Sequence, residues 1–176
     1  ALPPDLAARV RAMVSGARSA RDTAAVVQRW VAQDIRYVSI ALGIGGYQPR
    51  TPAEVVASGF GDCKDKATLF VAALRLLGFD AVTVLASSSG GVDRALPSME
   101  QFDHAIAYVS LPEGRVYTDL TVALLPFGLL PPALQGEFGL AVPARGAAEE
   151  LTFPQETPVE RLSLIELSGR LDADGR

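Results

Sequence analysis

The chain has 176 residues, 49% of them hydrophobic and 20% charged, and a net charge of -4. That balance suits one globular unit with one real core. The absence of any basic cluster excludes nucleic acid as a partner, no apolar run reaches the roughly 18 residues a membrane helix needs, and a single cysteine excludes an internal disulfide framework or a thiolate-rich metal site.

In chain order, residues 5–17 place Leu6, Val10, Met13, Val14 and Ala17 at helical spacing. A second helix opens at Asp22-Thr23, both cap residues, and carries Val26, Val27, Trp30, Val31 and Ile35 on its apolar side. Residues 36–41 turn β-like, and Gly43-Ile44-Gly45-Gly46 breaks them. No Gly-Lys-Ser/Thr follows, so the glycines read as a loop and not a phosphate cradle. Thr51-Pro52-Ala53-Glu54 combines a cap, a proline at the first helical position and a capping-box glutamate, so a short helix runs to Gly59.

The next helix is the most apolar. Asp62 caps it, Gly78 ends it, and Ala67, Phe70, Val71, Leu74 and Leu77 share one face. Cys63 stands at its head, where the partial positive charge of a helix N-terminus favours thiolate. Lys64, Asp65 and Lys66 read as a solvated first turn.

Residues 79–86, 103–110 and 115–121 read as strands, with a polar loop over 87–101 and a hairpin turn at Leu111-Pro112-Glu113-Gly114. Residues 122–146 are Pro- and Gly-rich yet apolar. They predict an irregular segment packed on the domain and then a strand near 139–142, and the Pro-rich stretch 122–158 is available to cover a cleft. Residues 144–158 read as a linker, 159–167 as a strand that could open a following β-rich domain, and Asp172-Ala173-Asp174-Gly175 as a turn. The expected division is therefore a domain over 1–146 and a linker plus strand over 147–176. Both ends of the sequence look cut from a longer chain. Helices segregated from an antiparallel sheet predict an α+β domain.

His104, the only histidine, and Asp119 fall on the two arms of the hairpin. A two-residue turn at Pro112-Glu113 puts Asp119 opposite Ile106, and His104 becomes its diagonal neighbour on one face. A turn at Glu113-Gly114 leaves the two farther apart, and a three-residue turn separates them onto opposite faces. If the imidazole faces the head of the cysteine helix, Cys63 is a nucleophile, His104 its base and Asp119 the carboxylate that fixes the ring. Donors for the developing oxyanion are the Cys63 amide and a side chain of the preceding loop, Gln48 ahead of Tyr47.

Gly61-Asp62-Cys63-Lys64-Asp65-Lys66-Ala67, Asp103-His104-Ala105-Ile106 and Thr118-Asp119-Leu120-Thr121 resemble, in order and spacing, the three signatures of the bacterial transglutaminase-like superfamily. The segments Tyr47-Gln48-Pro49 and Pro126-Phe127-Gly128 resemble its flanking features. Leu120 departs from the proline many relatives carry there. The resemblance implies a papain-like core, with the cysteine heading a central helix and the His and Asp on adjacent antiparallel strands. It also implies that Cys63, His104 and Asp119 act as a triad, and it suggests an exported or periplasmic setting between β-rich domains.

The expected chemistry is thiol-dependent acyl transfer on an amide of a protein or peptide substrate. Water as acceptor makes a cysteine protease or amidase, and an amine makes a transglutaminase-type transferase; the sequence leaves the choice open. No cofactor and no metal is expected, and the partners are the substrate and flanking domains of the same chain. The alternative is a catalytically inactive module of the same fold that binds a peptide or partner. A redox or metal role for Cys63 ranks last, since neither a resolving cysteine nor a ligand set is present.

Overall fold

The computed structural model describes residues 2–39 and 43–155. Helices α1 (Pro4–Met13) and α2 (Ala20–Arg29) come first. The cap of α2 is Ser19, whose hydroxyl accepts from the Asp22 amide at 3.0 Å. Asp22, expected as the cap, is the residue whose amide the cap satisfies. α2 widens into a π-helical turn, Trp30–Asp34, that leads into the short strand β1 (Arg36–Tyr37). Then follow a 3-10 turn (Gly43–Gly46), α3 (Pro52–Ser58), β2 (Phe60–Gly61) and the long helix α4 (Cys63–Leu76). α3 starts on the expected capping box at Thr51 and Glu54, and it ends at Gly59 with φ of 69°, a left-handed conformation that glycine adopts without steric cost. β1 and β2 pair in parallel, Tyr37 beside Gly61, which joins the end of the π turn to the residue before the cap of α4.

Strands β3 (Ala81–Ala86), β4 (His104–Leu111), β5 (Gly114–Thr118), β6 (Phe138–Val142) and β7 (Glu149–Thr152) form one antiparallel sheet in the order β5-β4-β3-β6-β7. The fold is α+β, with N-terminal helices packed on this sheet. One face receives α4: Leu69, Phe70, Ala73 and Leu74 are fully buried against Ala81, Ala107, Val109 and Val116, together with Val27 and Val31 from the second helical segment. Burying each large side chain of this kind contributes about 1.5–3 kcal/mol. A second core, on Val82, Val84, Ile106 and Tyr108, is filled by Leu130, Leu134 and Phe153.

The stretch expected as a linker from 144 does not behave as one. β7 extends the sheet through residues 149–152, and Phe153 is 2% exposed in the second core. The run of Glu149-Glu150 hides a strand whose pairing comes from β6. The sheet curls enough for its two edges to meet through side chains: Arg115 of β5 binds Glu149 of β7 with two hydrogen bonds of 2.8 and 2.9 Å, and Tyr117 packs edge-on to Phe153 at 5.7 Å. The strand expected over 159–167 and the turn at 172–175 lie outside the described residues.

Of the stretch expected to cover a cleft, residues 122–135 line neither cavity described below, while Phe138, Leu140 and Glu150 line the second of them. Arg21, Gln28 and Gln33 donate to the carbonyls of Phe127, Leu125 and Ala123, so residues 123–127 are strapped to the second helical segment. Gly139 is a point of close approach: a Cβ there would lie 2.6 Å from the Phe153 ring and 2.8 Å from Leu151. Gly139→Val is therefore expected to destabilise the fold by about 1–3 kcal/mol through overpacking, measured by urea unfolding.

Candidate active site

Cys63 is the first residue of α4 and is partly exposed. Its position is over-determined. The Asp62 carboxylate accepts from the Asp65 amide at 3.1 Å, and the Asp65 carboxylate reaches back to the Asp62 amide at 3.4 Å. Asp65 also accepts from the Arg50 backbone at 2.7 Å and from Arg50 Nε at 2.9 Å. The Arg50 guanidinium bonds onward to the Phe60 carbonyl and lies 4.6 Å over the Phe60 ring. Gly61 leaves the room this needs, since a Cβ there would stand 2.9 Å from Asp65 Cβ.

The expectation of a solvated first turn fails at Asp65, 4% exposed, and at Lys66, 0% exposed. Lys66 Nζ donates to the carbonyls of Ala32 at 3.1 Å and Ile35 at 2.6 Å. Those carbonyls close the π turn and lack intrahelical partners, so a cation at that C-terminal end is favoured. Burial pushes the ammonium down to about 8 against the opposing charge of Asp119. Lys64 remains half-buried and pairs with Asp62.

His104 opens β4, and the hairpin takes the two-residue turn, with Leu111 paired to Gly114 and Ala107 to Thr118. Asp119 follows directly. His104 Nε2 donates to Asp119 Oδ2 at 2.9 Å, and Asp119 Oδ1 accepts from the Thr121 amide at 2.8 Å and the Thr121 hydroxyl at 2.7 Å. Asp119 is 2% exposed. Burial would raise its carboxyl, but the bonds from His104 and Thr121 hold it below the usual carboxylate range. Burial would likewise lower His104. The hydrogen bonds and charges of Asp119 and of the Cys63 sulfur outweigh it and raise the imidazolium to about 10. With Nε2 committed to Asp119, Nδ1 is the ring nitrogen left for the sulfur. Ser88 holds Asp103 beside the ring through its amide and hydroxyl at 2.7 and 2.8 Å.

Cys63 and His104 both border a cavity of about 530 Å³ whose other walls are the Gly43–Tyr47 turn and residues 99–105. Of the two side chains expected as oxyanion donors, Tyr47 lines this cavity and is 71% exposed, whereas Gln48 points to solvent and does not line it. Tyr37 is not singled out by the sequence, yet it also lies near the sulfur. Beside Gly61, its phenol is raised by partial burial and by the charges of Cys63, Asp62 and Asp119. The signal was its place in a β-like run leading into the glycine loop.

The His104 shift has a stability consequence. An imidazole whose pKa is 6.5 when unfolded and about 10 when folded stabilises the fold fully below about 6.5, and this stabilisation is lost as pH rises toward about 10. The stability difference between wild type and His104→Ala should therefore shrink between pH 6 and pH 10, read from denaturant midpoints at fixed salt.

Residues 7–118 match the sequence pattern of the transglutaminase-like superfamily, a span that includes Cys63 and His104 and stops one residue short of Asp119. No curated protein matches the chain significantly. Among solved structures, the fold is similar to a protein of Parabacteroides distasonis described as a candidate protease, with a TM-score of 0.66 and 12% identity over 86% of this chain and 28% of that one. It is also similar to a candidate cysteine protease of Cytophaga hutchinsonii, with a TM-score of 0.50 and 13% identity over 87% of this chain and 52% of that one. The chain thus spans about a quarter and about half of these two proteins.

Proposed function

Because this chain belongs to the transglutaminase-like superfamily, we propose that it is a thiol-dependent acyl-transfer domain acting on an amide of a peptide or protein, with water as the usual acceptor. The observation that carries the reading is His104, bonded to a buried carboxylate through one ring nitrogen while the other is left for the sulfur at the head of α4. The description of both similar structures as candidate proteases favours water over an amine.

In this reading the Cys63 thiolate attacks the amide carbon, and the C–N bond breaks as the His104 imidazolium passes its proton to the departing nitrogen. Water then attacks the thioester carbon and gives a proton to His104, and the C–S bond breaks to release the acid. Asp119 holds the ring in one orientation and stabilises its charge throughout. The Cys63 amide has no acceptor within its helix and faces the developing oxyanion, with Tyr47 and Tyr37 as side-chain donors near the sulfur.

The test is alkylation by iodoacetamide at pH 6, followed by mass spectrometry. Cys63 should label stoichiometrically, and roughly ten times faster than in His104→Ala, because His104 is the group placed to take the thiol proton. Equal rates in the two proteins would leave the inactive binding module as the better account.

A further inference from the structure

A second cavity of about 360 Å³ adjoins the first, and Met99 and Phe102 line both. Its floor is Phe138 and Leu140 of β6, and Val92 and Pro97 of the 87–101 loop close its sides. The Phe102 and Phe138 rings lie tilted against each other, with centroids 6.4 Å apart. At the rim, Arg94 pairs with Glu150 and lies 5.5 Å over the Phe138 ring. Met99, at the junction of the two cavities, is 56% exposed. An apolar side chain laid against these groups would remove their surface from water.

The charges around the cavities are unequal. Arg94 is matched by Glu150, Lys64 by Asp62 and His104 by Asp119. Asp93 and Glu100 have no ion-pair partner among the described residues, and the Asp93 carboxylate accepts from the Ala95 amide. The field over the cleft is therefore negative, which disfavours an acidic occupant and suits a neutral or basic one.

We propose that this second cavity is a specificity subsite that takes a large apolar side chain, such as phenylalanine or leucine, of a peptide whose neighbouring residues are neutral or basic. The peptide as occupant rests on the acyl-transfer reading above. The site itself rests on its continuity with the Cys63 cavity, its aromatic floor and its acidic surroundings.

The experiment uses the Cys63→Ala chain and two dye-labelled peptides, Lys-Phe-Gly-Gly and Lys-Glu-Gly-Gly, with binding followed by fluorescence anisotropy. The phenylalanine peptide should bind at least about tenfold tighter, or about 1.4 kcal/mol. Phe138→Ala should erase the difference. So should Val92→Trp, which fills the cavity from the loop and leaves both cores untouched. Equal affinities, no detectable binding of either peptide, or a preference that survives Val92→Trp would overturn the subsite. The nucleophile is absent from this assay, so its outcome is separable from that of the alkylation test.

Discussion

Turnover of a peptide anilide carrying phenylalanine is expected to fall about 10³- to 10⁴-fold in Asp119→Asn, with the circular dichroism spectrum unchanged. The reason lies in the hydrogen bonds around the carboxylate. Oδ1 accepts from the Thr121 amide, and an amide nitrogen of the chain can only donate. The oxygen of an asparagine at 119 must therefore stay with Thr121, which turns its NH₂ toward His104. Nε2 would then have to accept, and the ring proton would move to Nδ1, the nitrogen that in the proposed mechanism takes and returns the substrate's proton. Cys63→Ala should remove turnover altogether. A loss of less than about tenfold in Asp119→Asn would show that the carboxylate is there for the fold alone.

The largest expected effect on stability is at Lys66. Lys66→Ala should cost about 3–5 kcal/mol, because it leaves a cavity beneath the head of α4 and strands two buried carbonyls, those of Ala32 and Ile35. Lys66→Met keeps most of the volume and loses only the donors, so about 1–3 kcal/mol is expected. The difference between the two variants in guanidinium unfolding separates the packing contribution from the hydrogen bonds. If both lay within 0.5 kcal/mol of wild type, a magnitude typical of surface positions, the ammonium would have to be in contact with water and not with the π turn.

What could be read in advance follows from how local each signal is. The caps of α3 and α4 were legible because Thr51, Glu54, Asp62 and Gly59 act within three or four residues of themselves. The pairing of His104 with Asp119 was legible as one of three registers, because a hairpin converts turn length into alignment; the structure takes the two-residue turn. The burial of Asp65 and Lys66 escapes the sequence for the opposite reason. Their charges are satisfied by Arg50 and by carbonyls more than thirty residues upstream, and nothing in the residues 63–66 announces such partners. β7 is not legible because its exposed glutamates break the apolar alternation of a strand; its place is set by β6 and by Arg115 across the curl of the sheet. Gln48 is picked out only as a side chain of the loop before Cys63, and loop membership does not say which side chain borders the cavity; Tyr47 does.

The bond between Arg115 and Glu149 bears on how copies of this chain behave when crowded. An open ribbon of five strands presents two unpaired borders on which a neighbour's extended segment can zip. Here a guanidinium clasp and a pair of aromatic rings draw those borders toward each other, so that strand-by-strand growth into fibres is discouraged at both margins. Acid strong enough to protonate Glu149, whose carboxyl Arg115 holds below its usual range, would unfasten the clasp.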